Sequence, residues 1–294
     1  MAEIEYLPYN FGALPEKYSR WENSRTVILP IPYDSTCTHK TGAREGPRAI
    51  IHASRNLEFL DDELLIDATL QGIHTLPEIM PDSQSPERMV EKVYQVAKGV
   101  MEQGKFLVSL GGEHTVTIGL VKAHKERYPG LSVLQIDAHM DLRDSYAGSQ
   151  YNHACVMRRI QELCEITQVG IRSYCQEELN FAREKGFEPF YKRLIDHWGD
   201  WPEEVIERLS NEVYVTIDLD GLDPSIVPSV GTPEPGGLGW REVLRLLRRV
   251  AEKKRIVGFD IMELSPDPNN IAPDYVAARL AYKTLGYALY YSHG

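Results

Sequence analysis

The sequence has few cysteines, no long apolar run and no leader-like start. Its four cysteines form no Cys-x-x-Cys pair, so a zinc ribbon, a thioredoxin-type motif and a disulfide framework are not indicated. No stretch approaches the roughly 20 apolar residues that a membrane helix needs. The first residues are acidic and lack the apolar core of a signal peptide. We therefore expect a cytoplasmic protein in a reducing compartment.

Positive charge is also scarce relative to negative charge. The chain has 32 Lys and Arg residues against 43 Asp and Glu residues, which gives a formal net charge of -11. This balance argues against nucleic acids and anionic membranes as partners. It suits a cationic small-molecule substrate. The 294 residues are ample to bury a large core.

Short apolar runs alternate with longer segments of helical period. Strands are predicted at 26–31, 106–110, 131–136, 166–169, 213–217 and 256–260. Helices are predicted to begin at residue 46 and to cover 89–101, 116–128, 240–253 and about 273–291. This order predicts an α/β protein with three layers, in which helices cover both faces of a mostly parallel central sheet. Since no repeat or flexible linker interrupts the pattern, we expect a single domain over residues 1–294.

Three metal-type side chains follow one of these predicted strands. Asp137, His139 and Asp141 lie at positions i, i+2 and i+4 after the apolar run 131–136. Because a strand alternates its faces at every residue, a strand that continued here would direct all three side chains to one side. The spacing therefore indicates a cluster of metal ligands.

Two further strand ends carry the same kinds of side chain. Asp218 and Asp220 follow the run 213–217, and His114 follows the run 106–110. Each motif alone is also typical of a polar loop, a cap or a helix entry. Ligands in parallel sheets bind at the carboxyl ends of the strands. The joint occurrence of three such ends favours one shared metal site.

The combined set has four carboxylates and two imidazoles. Its formal charge of -4 would be neutralised by two divalent cations. Oxygen and nitrogen ligands without thiolate suit Mn²⁺. Two such ions can lower the pKa of a shared water and make it a nucleophile at neutral pH. The set therefore predicts a hydrolytic metalloenzyme.

Several motifs together resemble the ureohydrolase family, which includes arginase and agmatinase. The strongest matches are 111–114 (Gly-Gly-Glu-His), 137–141 (Asp-Ala-His-Met-Asp) and 216–224 (Thr-Ile-Asp-Leu-Asp-Gly-Leu-Asp-Pro). Further matches lie at 42–50, 231–233, 235–238 and 258–266. The resemblance spans about residues 26–290. Family members usually carry Asp where this chain has Glu113.

The resemblance implies an arginase-like fold and a binuclear centre that holds two Mn²⁺ ions per subunit. It implies that Asp137 and Asp218 bridge both ions, and that a bridging hydroxide attacks a guanidinium carbon to release urea. Six ligands are implied in total: His114, Asp137, His139, Asp141, Asp218 and Asp220.

The resemblance also implies catalytic and substrate-binding roles. Glu263 matches the acid that pairs with the guanidinium group, a charge-assisted contact. Thr232 matches a polar contact near the same group. His153 matches a histidine that binds near the substrate and passes a proton to the leaving amine. Asp141 would orient the hydroxide.

The expected substrate is agmatine, which would be cleaved to putrescine and urea. The 141–154 loop resembles those of prokaryotic and archaeal agmatinases, and the acid that would hold the α-ammonium of arginine is missing after Arg172. N1-aminopropylagmatine, the substrate of a spermidine route, is the main alternative. Another guanidino compound met by Arg143, arginine itself, and a non-catalytic binding role are further alternatives. The resemblance implies a homo-oligomer, a trimer or a hexamer.

Overall fold

The structure is a computed structural model and describes residues 6–197 and 199–292. The acidic start at residues 1–5, on which the cytoplasmic expectation partly depends, lies outside the described residues. One sheet contains eight strands, all of them parallel. These are β1 (Thr26–Ile31), β2 (Ile73–Thr75), β3 (Phe106–Gly111), β4 (Ser132–Ile136), β5 (Ile166–Ile171), β6 (Phe190–Tyr191), β7 (Glu212–Asp218) and β8 (Arg255–Met262).

Helices lie between most of the strands. In the described part of the chain they are α1 (Glu16–Ser19), α2 (Gly46–Ser54), α3 (Pro86–Glu102), α4 (Thr117–Arg127), α5 (Val156–Gln161), α6 (Gln176–Lys185), α7 (Lys192–Ile195), α8 (Trp201–Arg208), α9 (Trp240–Lys253) and α10 (Ala272–Tyr290). Proline near the start of α2, α3, α8 and α10 fits a first turn, where a backbone N–H is not needed.

The sheet is buried on both faces, as parallel sheets usually are. Successive residues of β1 belong to different apolar clusters. Ile28 belongs to the cluster that contains residues of α2, α8, α9 and α10, whereas Val27 and Leu29 belong to the cluster that contains residues of α3 to α6. The two apolar clusters therefore lie on either side of one sheet. The predicted three-layer α/β architecture is confirmed.

Every strand and helix that we predicted is present, but two strands were missed. β2 and β6 contain three and two residues, and each is an edge strand that pairs with one neighbour. Runs this short show no readable alternation of polar and apolar residues. The pairing that forms them depends on the neighbouring strand.

The strand order explains how distant motifs meet. The order is β2-β1-β3-β8-β7-β4-β5-β6, so β8 and β7 lie between β3 and β4. The four central strands lead at their carboxyl ends to His114, Glu263, Asp218 and Asp137 respectively. These side chains therefore converge on one edge of the sheet. Within the described ranges, no helix combines the length and the hydrophobicity needed to cross a membrane.

Gly112 allows the backbone to pass close to a neighbouring loop just before His114. Its N–H donates to the carbonyl of Ile31 at 2.9 Å, and the N–H of Glu113 donates to the carbonyl of Tyr33 at 2.7 Å. A Cβ atom on Gly112 would lie 1.9 Å from the Tyr33 carbonyl oxygen. The backbone must shift to accept any side chain there.

Gly112→Ala should therefore lower the free energy of unfolding by about 2 kcal/mol or more, as for other overpacked sites. Urea denaturation measures the change. Gly99→Ala is the matched control, since Gly99 lies in α3 with no atom within 4 Å of an added Cβ. That substitution should stabilise the protein by about 0.5–1 kcal/mol. Equal stability of the two variants would contradict the steric explanation.

Candidate metal centre and active site

His114 lies fully buried at the end of β3, among the carboxylates. Its backbone N–H donates to Glu263 Oε1 at 2.7 Å. Its Nδ1 atom lies 3.3 Å from Asp137 Oδ2, 3.2 Å from Asp141 Oδ2 and 3.4 Å from Asp218 Oδ2. The ends of β4 and β7 thus deliver three carboxylates to a single nitrogen.

A chain of buried hydrogen bonds fixes which nitrogen of His114 faces those carboxylates. Thr216 Oγ1 donates to Asp260 Oδ1 at 2.6 Å, while Tyr214 and Thr117 donate to Oδ2. Since the Thr216 proton is used, its oxygen accepts from Nε2–H of His114 at 2.8 Å. The Nδ1 lone pair then points at the carboxylates, and among the residues that the structure describes Nδ1 has no hydrogen-bond partner. A lone pair that faces carboxylates fits a cation bound between them. Asp260, through Thr216, is the outer carboxylate that orients the imidazole of His114.

A second group of ligands lies beside the first. His139 Nδ1 is 3.0 Å from Asp220 Oδ2 and 3.6 Å from Asp137 Oδ1. Two sets of three side chains could each hold a metal ion, His114–Asp137–Asp218 and Asp137–His139–Asp220. Asp137 belongs to both sets, as expected of a bridging ligand. Asp218 belongs to the first set alone, so its bridging role stays a prediction.

Burial and the neighbouring charges strongly shift the pKa values of these groups. Burial and the charge of Asp137 raise the pKa of Asp141 to about 7. Burial lowers the pKa of His139, but the carboxylates of Asp220 and Asp137 outweigh it and raise the value to about 12. The cluster therefore holds protons unless another positive charge replaces them. Metal binding to such a site releases protons.

Two residues of the site have strained backbones. Asp141 has a φ of 54° and Glu263 a φ of 67°. Such left-handed conformations cost on the order of 1 kcal/mol or more for residues other than glycine, and they persist where the surroundings enforce them. Both residues lie beyond a strand end, and both carboxylates contact His114.

A cavity of about 280 Å³ opens above the two groups. His153, Thr232 and Glu263 line it; their catalytic and substrate-binding roles stay predictions. Thr232 Oγ1 donates to Asp220 Oδ2 at 3.2 Å. Burial raises the pKa of Glu263 to about 8. The cavity thus brings an acid, a hydroxyl and an imidazole next to the candidate metal ligands.

Sequence reasoning missed the segment 36–40, of which Cys37 to Lys40 also line the cavity. Thr36 Oγ1 lies 3.3 Å from His153 Nδ1, and Thr38 Oγ1 lies 3.4 Å from Nε2. The segment contains no carboxylate and follows no ligand motif. Its one signal was its position directly before the family-like segment 42–50.

Arg172 connects the end of β5 with two loops of the site. Its guanidinium group lies over the carboxyl end of the sheet and donates only to backbone carbonyls. The contacts are Gly170 at 3.1 Å, Asp220 at 2.6 Å, Gly221 and Leu222 at 3.4 Å, Glu234 at 2.7 Å and Pro235 at 3.1 Å. Arg172 therefore fixes the backbone of a candidate ligand, Asp220, relative to the loop that carries Thr232.

Comparison with known proteins identifies the family. The model of the arginase family matches residues 24–286. The chain belongs to the arginase family. An N(1)-aminopropylagmatine ureohydrolase from Synechocystis is 40% identical over 280 residues, covering 92% of each chain. An agmatinase from Pyrococcus horikoshii is 37% identical over 268 residues, covering 88% of this chain and 90% of its own.

A solved structure supports the same assignment. The agmatine ureohydrolase of Thermoplasma volcanium superposes with a TM-score of 0.87 at 34% identity, covering 97% of this chain and 96% of that one. The resemblance seen in the sequence motifs is therefore confirmed. This arginase-family chain is a ureohydrolase, as predicted.

Arg172→Ala should leave several half-buried carbonyls without donors and lower the free energy of unfolding by about 2 kcal/mol. Because Asp220 is among them, affinity for Mn²⁺ should also fall, measured by calorimetric titration. Arg172→Lys should lower the stability and the Mn²⁺ affinity by less than Arg172→Ala does, since lysine keeps one donor group but cannot reproduce the planar fork. Arg245→Ala is the control: this exposed arginine contacts Asp200, and the change should stay within about 0.5 kcal/mol. Unaltered metal affinity in Arg172→Ala would contradict the role.

Proposed function

We propose that the protein is a manganese-dependent ureohydrolase that releases urea from N1-aminopropylagmatine, with agmatine as the second candidate. The observation that carries the hydrolytic function is the sharing of Asp137 by two His–Asp groups at the floor of the cavity. The curated relative named for N1-aminopropylagmatine is 40% identical, and the one named agmatinase is 37% identical. The higher identity to the first relative favours N1-aminopropylagmatine. The sequence motifs alone had favoured agmatine.

The ligands suit two Mn²⁺ ions. They offer carboxylate oxygens and imidazole nitrogens and no thiolate, a donor set that favours Mn²⁺ over softer metals. The unpartnered Nδ1 of His114 and the crowded carboxylates around it support a cation there. Ions bound in this way would activate water for attack on the guanidinium carbon.

The residues of the chain bind and orient the guanidinium group. Glu263 lies buried at the cavity wall, where burial favours its protonated form. A guanidinium partner would stabilise the ionised form through paired, charge-assisted hydrogen bonds. The hydroxyl of Thr232, held at Asp220, offers a further polar contact. Substrate capture and discrimination against uncharged amides would both depend on Glu263.

The rim of the cavity supports a polyamine tail better than an amino-acid tail. Ser173 occupies the position after Arg172 and donates to Glu234 Oε1 at 3.0 Å. This contact holds one half-buried carboxylate near the rim, where it can accept an ammonium group. Arg143 lies over the ring of Tyr146 at 4.7 Å, so the one arginine considered for an acidic substrate is already stacked on an aromatic face.

Urea release by Mn²⁺-reconstituted protein tests the function. N1-aminopropylagmatine, agmatine and arginine should be compared by kcat/KM, together with protein stripped of metal by a chelator. We expect cleavage of the first two, little cleavage of arginine, and loss of activity without metal. Preference for agmatine would select the second candidate. Release from none of the three by metal-loaded protein would reject the function.

Glu234→Gln tests recognition of the tail. The longer substrate carries an additional ammonium, so its kcat/KM should fall about fivefold, the effect of one partly exposed ion pair. Agmatine should be affected less. Glu177→Gln provides a control at an exposed carboxylate that accepts from the backbone of Asp144. An equal change for both substrates in Glu234→Gln would exclude Glu234 as a selective contact.

Asp137→Asn and His139→Asn separate a shared ligand from a single one. Because Asp137 belongs to both groups, its loss should abolish binding of both ions, whereas loss of His139 should weaken one. Metal analysis after dialysis measures the stoichiometry, with expected values near zero for Asp137→Asn and near one for His139→Asn. The same stoichiometry in both variants would contradict the shared role.

We also propose a cytoplasmic homo-oligomer, a trimer or a hexamer, as the composition and the family resemblance suggest. Sedimentation velocity of the full chain tests the assembly. A monomer at micromolar concentration would contradict it.

A further inference from the structure

Glu113 lies buried behind the active site and holds the segment that approaches His153. Its Oε2 accepts the backbone N–H of Thr36 at 2.6 Å, and its Oε1 accepts the Thr36 hydroxyl at 2.8 Å. Glu113 has no exposed surface and does not line the cavity. Any effect on the reaction must therefore pass through the residues that Glu113 contacts; Thr36 makes two hydrogen bonds to it, and Cys37 Sγ lies 3.8 Å from Oε2.

The hydroxyl of Thr36 connects Glu113 to His153. Besides Glu113 it contacts the backbone N–H of His153 at 3.1 Å, His153 Nδ1 at 3.3 Å and Thr115 Oγ1 at 3.2 Å. A hydroxyl has one proton to donate and two lone pairs. The contact with the Glu113 carboxylate is the shortest of the four, and a carboxylate is the strongest acceptor among these groups. The proton therefore goes to Glu113. The Thr115 hydroxyl also hydrogen-bonds to Glu113, which leaves the two lone pairs of Thr36 for the backbone N–H and the Nδ1–H of His153.

This donor count determines the tautomer of His153. If Thr36 accepts from Nδ1, that nitrogen carries the hydrogen and Nε2 carries the lone pair. Nε2 lies on the side of Thr38, which lines the cavity, at 3.4 Å from its hydroxyl. The ring of Tyr146 packs edge-on against the imidazole at 6.2 Å between centroids. The ring is therefore restrained by contacts from two segments.

We propose that Glu113 and Thr36 form a relay that keeps the hydrogen of His153 on Nδ1 and presents Nε2 to the cavity. Glu113 and Thr36 are positioning residues in this arrangement, and Nε2 is the atom that accepts a proton and delivers it to the leaving amine. That catalytic consequence depends on the proposed function, but the tautomer does not. The oxygen of the attacking water bonds to the guanidinium carbon while one of its protons passes to Nε2. Nε2 gives that proton to the amine nitrogen as the C–N bond breaks, and the proton left on the urea oxygen passes to the released amine.

Burial lowers the pKa of His153 to about 4. The ring is therefore neutral near pH 7, where exactly one nitrogen holds a hydrogen and the tautomer decides which atom can accept. Such an orienting partner is a general feature of catalytic histidines, whose second nitrogen is usually fixed by a hydrogen bond.

¹⁵N NMR of histidine-labelled full-length protein tests the tautomer directly, with the His153 signal assigned by its loss in His153→Asn. We expect a protonated Nδ1 in the wild type. In Glu113→Gln the amide can donate to Thr36, which frees the Thr36 proton for Nδ1, so the hydrogen should move to Nε2. A protonated Nε2 in the wild type, or no change in Glu113→Gln, would overturn the relay.

Kinetic measurements distinguish the relay from a purely structural role, in which Thr36 would only hold the segment 36–40 in place. With whichever substrate the wild type cleaves, Thr36→Val should lower kcat by on the order of tenfold, within the range of general acid–base effects, with a smaller change in KM. Thr36→Ser keeps the hydroxyl and should retain most of kcat. In a His153→Asn background, Thr36→Val should cause no further loss. Additive losses would show that Thr36 acts elsewhere and would overturn the relay.

A remote buried threonine supplies the matched control. Thr284 donates to the Leu280 carbonyl within α10, so Thr284→Val should leave kcat and the tautomer of His153 unchanged. If the wild type releases no urea from either candidate substrate, the proposed function fails while the NMR result still decides the relay. If the wild type is active but Thr36→Val matches Thr36→Ser, the relay fails and the function stands.

Discussion

The crowding of buried carboxylates around Asp137 is the constraint on which the rest of the site depends. Parallel strands bring their carboxyl ends to one edge, and here four central strands each deliver an acidic or imidazole side chain. Like charges at such short distances in a buried setting are stable only with protons or cations among them. The fold therefore places negative charges where a cation stabilises them, and both a divalent metal and a guanidinium substrate can supply that positive charge.

Hydrogen bonds from residues around the carboxylate cluster fix its geometry. Thr216 and Asp260 fix the nitrogen of His114 that meets the carboxylates. Arg172 fixes the backbone around Asp220 through carbonyls alone. Hydrogen-bonded partners of this kind orient ligands and tune their basicity. The same principle extends from the candidate metal ligands to His153, which contacts Thr36, which in turn donates to Glu113.

Much of this protein could be predicted from its sequence, for reasons that are local. The spacing of Asp137, His139 and Asp141 after an apolar run, repeated by Asp218 and Asp220, marked the residues that cluster. The strand geometry from which we argued was wrong, because β4 ends at Ile136 and the backbone of Asp141 is left-handed, so the loop after the strand brings these side chains together. The central strands were equally readable, since each is a continuous apolar run. The edge strands β2 and β6 were not, because their two or three residues become strands through pairing with a neighbour.

The sequence by itself determined the α/β architecture, the family and the chemical types of the ligands, because these depend on periodicity and on motifs within short segments. The tertiary structure alone decided that Asp137 is common to both candidate ligand groups, that Thr36 meets His153, and that Arg172 donates to the carbonyls of Asp220 and Glu234. Each of these contacts joins residues that lie far apart in the chain. Their meeting depends on the order of the strands in the sheet, which no local pattern encodes.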